Sequence, residues 1–214
     1  MTDYLSPHYA QSVLIIIDFQ NDCVLPGGAM EISGSFDVLP PLATLCRAMR
    51  EASRPIVHVV RSYLPDGSNV DLCRRSAVEE GAQLLAPFSE GADFPDALKP
   101  ASAPALDWHA LLDGQLQALG ANDWVLYKPR WGTFYQTPLE EFLRQHGIDT
   151  LIFGGCNFPN CPRASIYEAS ERDFRLVLAC DAMSALYEQG IRELKNIGVH
   201  VQNSAEIIAA LENC

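Results

Sequence analysis

Three reactive side chains lie at or just beyond hydrophobic segments of this 214-residue chain: Asp18, Lys128 and Cys161. A thiol must lose its proton to become a nucleophile, a carboxylate can take that proton, and a nearby ammonium favours the thiolate. Such a trio would suffice for covalent hydrolysis, provided that the fold brings the three side chains together.

Each of the three residues also has a structural interpretation that the sequence leaves open. Asp18 could cap a turn together with Asn21 and Asp22. Lys128 could be a solvated lysine ahead of Pro129, and Cys161 could be a buried, inert cysteine at the start of a helix. The chemical hypothesis therefore depends on the elements that position these residues.

Five aliphatic, β-branched runs predict strands that are buried on both faces, as in a parallel sheet. They span residues 12–18, 55–61, 124–128, 150–154 and 174–180, with 199–201 as a short sixth. Asp18 ends the first strand and Lys128 ends the third, while the fourth leads through Gly154 and Gly155 into a loop that carries Cys161.

Segments with helical periodicity alternate with these strands. They span residues 36–52, 137–146, 162–172 and 188–196, and a last helix runs through Ile207 and Leu211. This alternation predicts an α/β fold, doubly wound, with a mostly parallel sheet of about six strands and helices on both faces in a Rossmann-like three-layer arrangement. Ligands of such folds bind at the carboxyl ends of the strands.

One segment breaks the pattern. Residues 62–107 are rich in Pro, Gly, Ala and Asp, show no clear periodicity, and are too long for a simple connection. We interpret them as an insertion that covers the site within a single domain, 1–214, because the length favours one domain.

Composition limits the classes of function. The chain has 15 Lys and Arg against 27 Asp and Glu, a net charge of -12, which argues against a nucleic-acid partner. The longest apolar runs are five residues, against the roughly 20 of a membrane span, so no membrane partner is expected. The N-terminal residues lack a basic start and an apolar stretch, so a cytoplasmic location is the expectation.

The seven cysteines are an odd number scattered along the chain, which predicts reduced thiols. Cys156 and Cys161 form the only close pair, and neither a second cysteine pair nor a histidine pair stands at zinc-finger spacing. We therefore expect no structural zinc.

Three ordered motifs resemble those of the isochorismatase-like cysteine hydrolase family, over most of the chain. The first is Asp18-Phe-Gln-Asn-Asp22 after a hydrophobic strand, and the second is the segment that begins at Lys128 and continues through Phe134. The third is Gly155-Cys-Asn-Phe-Pro-Asn-Cys161, with its glycine-to-cysteine spacing.

The resemblance implies a role for each matched residue. Cys161 would be the nucleophile, Asp18 the base that takes its proton, and Lys128 the charge that lowers its pKa. A cis peptide between Cys156 and Asn157 would place the N–H groups of Asn157 and Cys161 as an oxyanion hole. The loop departs from the family pattern at Phe158-Pro159-Asn160 and Pro162-Arg163, so the identity of the substrate stays open.

Nicotinamidases of that family carry a metal site of the Asp-x-His type with a further histidine. None of the five histidines of this chain lies in such a motif, and His58, inside a strand, is typical of a packed core histidine. We expect no metal and no other cofactor.

Arginines around the predicted site indicate an anionic substrate, since a guanidinium can bind a carboxylate through two hydrogen bonds. The candidate substrate contacts are Arg61, Arg75, Arg130, Phe158 and Arg163. Arg75 is preferred over Arg74, because neighbouring residues of an extended segment point in opposite directions.

The leading hypothesis is a cysteine hydrolase that cleaves a C–N bond of a small, anionic amide or ureido compound through a thioester. One alternative is vinyl-ether hydrolysis of the isochorismatase type, which does not require the cysteine. Another is a non-catalytic member that only binds a small molecule. By analogy with the family, we expect a homo-oligomer, a dimer or tetramer.

Overall fold

The computed structural model describes residues 3–214. In this part of the chain the central sheet has seven strands: β1 Ser12–Ile17, β2 Ile56–Val60, β3 Gln117–Ala118, β4 Asp123–Tyr127, β5 Thr150–Gly155, β6 Arg175–Met183 and β7 His200–Gln202. Their order across the sheet is β3-β4-β2-β1-β5-β6-β7, and every pair is parallel except β3 with β4.

Eight α-helices surround the sheet over the same residues. They are α1 Asn21–Val24, α2 Leu39–Glu51, α3 Leu72–Glu79, α4 Trp108–Leu112, α5 Leu139–Gln145, α6 Cys161–Ser170, α7 Glu188–Asn196 and α8 Ser204–Leu211. Short 3-10 helices cover Tyr9–Gln11, Phe36–Val38 and Asp96–Leu98. None of the described helices is long and apolar enough to cross a membrane.

The alternating side chains of β1 show why the protein has three layers. Leu14 and Ile16 enter one apolar cluster, which also contains side chains of α2 and α8. Val13, Ile15 and Ile17 enter a second cluster, with side chains of α5, α6 and α7. All six residues of β1 are buried. A strand covered on both faces needs an apolar residue at nearly every position, which explains the unbroken run in the sequence.

The α/β class and the mostly parallel sheet are confirmed, and the structure adds one strand to the expected six. β3 has two residues and pairs antiparallel with β4 at the sheet edge. Such a short edge strand has room neither for an apolar run nor for an alternating pattern, so periodicity could not reveal it.

Residues 62–107 contain α3 and a 3-10 helix, and otherwise follow an irregular path. Val70, Leu85 and Phe94 of this segment are buried in the same cluster as α2. In α3 only Val78 is buried, so this helix packs on the molecule through a thin apolar contact. The single domain and the covering role of 62–107 stay predictions, and the position of the segment relative to the site is described next.

Candidate active site

Sheet register brings Asp18 and Lys128 together. Ile17 pairs with Val59 of β2, and Val60 pairs with Tyr127 of β4. The residues that follow these strands therefore leave the sheet at the same edge, and the Asp18 and Lys128 backbone N–H groups bond to the Val59 and Val60 carbonyls at 2.9 and 3.0 Å. The Lys128 ammonium lies 2.9 Å from Oδ2 of Asp18.

This ion pair is removed from solvent. Lys128 is fully buried and Asp18 is 8% exposed. The Lys128 ammonium also donates to the Arg130 carbonyl at 3.1 Å, whereas Oδ1 of Asp18 has no hydrogen-bond partner among residues 3–214. The carboxylate thus keeps one oxygen available as a proton acceptor while Lys128 compensates its charge.

Cys161 is the first residue of α6 and is 7% exposed. Its thiol is close enough to Asp18 and Lys128 for both to change its pKa. Burial, followed by the Asp18 carboxylate, raises the pKa of Cys161 to about 12, and the Lys128 ammonium opposes this shift. The net shift of the Cys161 pKa is therefore upward, opposite to the expected lowering. Lys128 acts in the expected direction, but desolvation and Asp18 outweigh it.

The loop before α6 supplies two backbone donors. The Cys156–Asn157 peptide bond is cis, at the position that the sequence resemblance implies. Within the described part of the chain, the N–H groups of Asn157 and Cys161 donate to no protein acceptor, whereas the Phe158 N–H donates to the Ser184 carbonyl. Two free N–H groups beside a thiol are the donors that a tetrahedral oxyanion requires.

The cavity beside the thiol has a free volume of about 30 Å³, enough for one or two water molecules. Asp18, Asn157 and Cys161 line it. Two of the other lining side chains, Met30 and Ile32, come from the segment before α2. Four come from residues 62–107, and the rest from elsewhere in the chain: Tyr63, Asp71, Arg74 and Leu85, then Cys23, Arg61, Trp131, Cys156 and Asn160.

Comparison with known proteins identifies the fold and the family. The family model described as "Isochorismatase domain" matches residues 12–206. The chain belongs to the isochorismatase family. A solved isochorismatase family protein from Desulfovibrio vulgaris is 30% identical, with a TM-score of 0.79, and the match covers 94% of this chain and 98% of the other.

Two curated proteins are similar to this chain over most of their length. "Ureidoacrylate amidohydrolase RutB" from Methylorubrum extorquens is 30% identical over 94% of this chain and 83% of its own. A protein named "Probable inactive nicotinamidase" from Arabidopsis thaliana is 25% identical over 91% of this chain and 93% of its own.

Arg61 is the one predicted substrate contact that lines the cavity of this isochorismatase-family chain. It is 3% exposed, and its Nη2 lies 2.6 Å from Oδ2 of Asp71. Nε and Nη1 of Arg61 have no hydrogen-bond partner anywhere in residues 3–214. A buried guanidinium with two unused donor nitrogens can bind a hydrogen-bond acceptor of a ligand.

The other predicted contacts are engaged elsewhere in the protein. Arg75 donates to the Val70 carbonyl at 3.1 Å, and Arg130 donates to the carbonyls of Asn69 and Pro129 at 3.1 and 2.6 Å. Arg163 pairs with Glu193 and donates to the Tyr187 hydroxyl, both at 2.5 Å. Phe158 is fully buried against Tyr187. The structure brings none of these four to the cavity.

Arg74 takes the place that we expected for Arg75. The pair lies in α3, not in an extended segment, so the side chains follow helical rotation and the alternation rule is wrong here. The Arg74 guanidinium lies 4.9 Å from the ring centroid of Trp131 and donates to the Tyr63 hydroxyl at 3.2 Å. The sequence did not indicate Tyr63, Asp71 or Trp131, and it ranked Arg74 below Arg75, because contacts between distant parts of the chain carry no periodic signal.

Among residues 3–214 no three His, Cys, Asp or Glu side chains are grouped closely enough to hold a metal ion. His58 packs on Phe94 with ring centroids 4.3 Å apart and lies 3.6 Å from the Asp123 carboxylate. Burial lowers the pKa of His58 below its usual value. This histidine belongs to the packed interior.

Proposed function

We propose that this isochorismatase-family chain is a cysteine hydrolase that cleaves a C–N bond of a small, anionic amide or ureido compound through a thioester. One observation carries the proposal: the Cys161 thiol, at the start of a helix, lines the same cavity as the Asp18 carboxylate, which is paired with the buried Lys128. Cys161, Asp18 and Lys128 are the proposed catalytic residues.

The first step couples proton transfer to nucleophilic attack. Because the pKa of Cys161 is about 12, the thiol is protonated at neutral pH and the Asp18 carboxylate is the base beside it. As the sulfur attacks the carbonyl carbon, its proton moves to Asp18. Lys128 then lies next to a neutral carboxyl group and a site where negative charge develops.

The second step breaks the C–N bond. The negative charge on the substrate oxygen accepts hydrogen bonds from the N–H groups of Asn157 and Cys161. Asp18 returns its proton to the leaving nitrogen, the amine or ammonia departs, and the acyl group stays on Cys161 as a thioester. Water, deprotonated by Asp18, then attacks the thioester, and the acid leaves with the thiol restored.

Charge around the cavity supports an anionic substrate. The charged side chains that line the cavity are two positive and two negative, and the buried Lys128 behind Asp18 adds a third positive charge: Arg61, Arg74, Asp18 and Asp71 form the lining. The local balance is positive in a protein of net charge -12. The similarity to an enzyme named for hydrolysis of ureidoacrylate is consistent with a substrate that carries both a ureido group and a carboxylate.

A screen for ammonia release from amides and ureido acids, followed by a Cys161→Ala variant, tests the proposal. The variant should lose at least about 10³-fold in kcat/KM, since the covalent route is gone. Cys180→Ala, which changes a cysteine outside the cavity, is the matched control.

Two alternatives predict different results in the same experiment. Vinyl-ether hydrolysis that survives in Cys161→Ala would favour isochorismatase-type chemistry. Absence of any turnover, with small acids still bound, would favour a non-catalytic binding protein. The similarity to a relative named as inactive is consistent with this alternative.

A further inference from the structure

Asp71, which lines the cavity and directly precedes α3, uses its two carboxylate oxygens unequally. Its Oδ2 accepts from Nη2 of Arg61 at 2.6 Å, from the Tyr63 hydroxyl at 3.0 Å, and from Nη1 of Arg74 at 3.4 Å. Its Oδ1 accepts from no donor in the described chain, although the residue is only 5% exposed.

Arg61, the residue paired with Asp71, also has unused hydrogen-bond donors. Arg61 contacts Asp71 through Nη2 alone, and its Nε and Nη1 have no acceptor within residues 3–214. Unpaired polar atoms in a buried site are unfavourable unless water or a ligand completes them. A ligand that forms hydrogen bonds with both residues must present an acceptor to Arg61 and a donor to Asp71.

Recognition of an anion alone does not account for Asp71. Its carboxylate cancels much of the Arg61 charge and would repel a bound carboxylate. The presence of Asp71 beside Arg61 is explained if the bound anion also carries a hydrogen-bond donor. Oδ1 of Asp71 then gains a partner in the complex.

We propose that Asp71 is a specificity-determining residue that accepts a hydrogen bond from a substrate N–H next to the acid group, while Arg61 binds the acid group itself. The inference rests on the proposed function and narrows its substrate class. The class is acids that carry an N–H one carbon away from the carboxylate, such as 2-ureido and 2-amido acids, and it excludes compounds with oxygen in place of that nitrogen.

Two probes of similar size test the role of Asp71: N-carbamoylglycine, which has the N–H, and carbamoyloxyacetate, which has a carbamate ester oxygen in its place. The measured quantity is the ratio of their kcat/KM values in the wild type and in Asp71→Asn. Intrinsic differences in reactivity between the probes cancel when the two ratios are compared.

Asp71→Asn should lower the ratio by about 10- to 150-fold. Three donors surround the Oδ2 position, so the Asn oxygen stays there and the amide N–H₂ turns toward the ligand. The site then offers a donor where it offered an acceptor, and the oxygen probe becomes the better partner. A merely structural role of Asp71 would lower both rates together and leave the ratio unchanged.

Asp66→Asn is the matched control, since Asp66 lies in the same segment, bonds to Ser68, and does not line the cavity. Its ratio should equal that of the wild type. Equal ratios in the wild type and Asp71→Asn would overturn the inference.

Binding separates this inference from the proposed function. Dissociation constants of both probes are measured by calorimetry in Cys161→Ser, alone and combined with Asp71→Asn. A preference for the N–H probe that disappears with Asp71→Asn supports the inference even if the wild type hydrolyses neither compound, in which case only the proposed function fails. Hydrolysis of both probes without any preference, or binding of neither, overturns the inference.

Discussion

At the scale of single residues, the site depends on two charges that solvent does not screen. Lys128 is fully buried against Asp18, and Cys161 lies in the field of both. In such an environment the removal of one charge leaves the other without compensation, so neighbouring substitutions should be strongly non-additive.

Lys128→Met should destabilise the protein by about 3–5 kcal/mol, because Asp18 would remain as a buried, unpaired carboxylate. The double variant Asp18→Asn/Lys128→Met removes both charges and should regain most of this loss, while both variants lack activity. Urea denaturation measures the free energies of unfolding. Equal stability of the single and double variants would contradict a coupled buried pair.

Alkylation of Cys161 should be slow near neutral pH, since burial and Asp18 raise its pKa to about 12. The exposed cysteines Cys73 and Cys214 should react with iodoacetamide first. In Asp18→Asn the carboxylate that raises the pKa is gone while Lys128 remains, so the alkylation of Cys161 should speed up and its pH profile should shift to lower pH. Peptide mapping by mass spectrometry measures the alkylation of each cysteine. An unchanged pH profile for Cys161 in Asp18→Asn would contradict the effect of Asp18 on its pKa.

At the scale of elements, the strand ends fix the proposed catalytic groups, and a thinly packed helix contributes Arg74 to the lining of the cavity beside them. β1 and β4 are held by the sheet, whereas α3 buries only Val78. Loosely attached elements open at a lower free energy than the core does, so we expect α3 and the segment ahead of it to open first.

Asn69→Ala should raise the rate of Cys161 alkylation about 5-fold. The Asn69 side chain ties the segment ahead of α3 to the Ser62 carbonyl at 2.9 Å and to the Tyr127 hydroxyl at 3.0 Å, and the loss of about 1 kcal/mol of hydrogen bonding favours the open form. Asp66→Asn serves as the control in the same segment. If Asn69→Ala leaves the rate unchanged, the opening involves another part of the cover.

At the scale of the whole molecule, several large apolar side chains stay exposed on the single chain, among them Tyr4, Leu72 and Phe88 at 76%, 82% and 65%. Exposed apolar surface of this kind favours association between chains. The expected dimer or tetramer remains a prediction of the sequence resemblance.

Sedimentation velocity over a range of protein concentrations should show a species two or four times the mass of one chain. Replacement of Leu72 by Glu tests whether the apolar surface on α3 takes part, and this substitution should shift the distribution toward monomer. A monomer at every concentration of the wild type would refute the oligomer.

The sequence alone determined the main parallel strands, the helices between them, and Asp18 and Lys128 at the sheet edge, but not β3, α1, α3 or α4. Strands covered on both faces are apolar throughout. The sequence alone therefore predicts β1, β2, β4, β5 and β6. The positions of Asp18 and Lys128 were predictable because a residue directly after a parallel strand lies at the carboxyl edge of the sheet. The motif resemblance supplied Cys161 and the loop before it.

Only the tertiary structure decided the direction of the Cys161 pKa shift and which arginines reach the cavity. Burial of a thiol depends on the segments that cover it, and desolvation outweighs Lys128 only once those segments are in place. Arg61 and Arg74 line the cavity, whereas Arg75, Arg130 and Arg163 find partners elsewhere. Residues 62–107 lack periodicity, so their contacts are set by packing against distant parts of the chain, which sequence spacing does not encode.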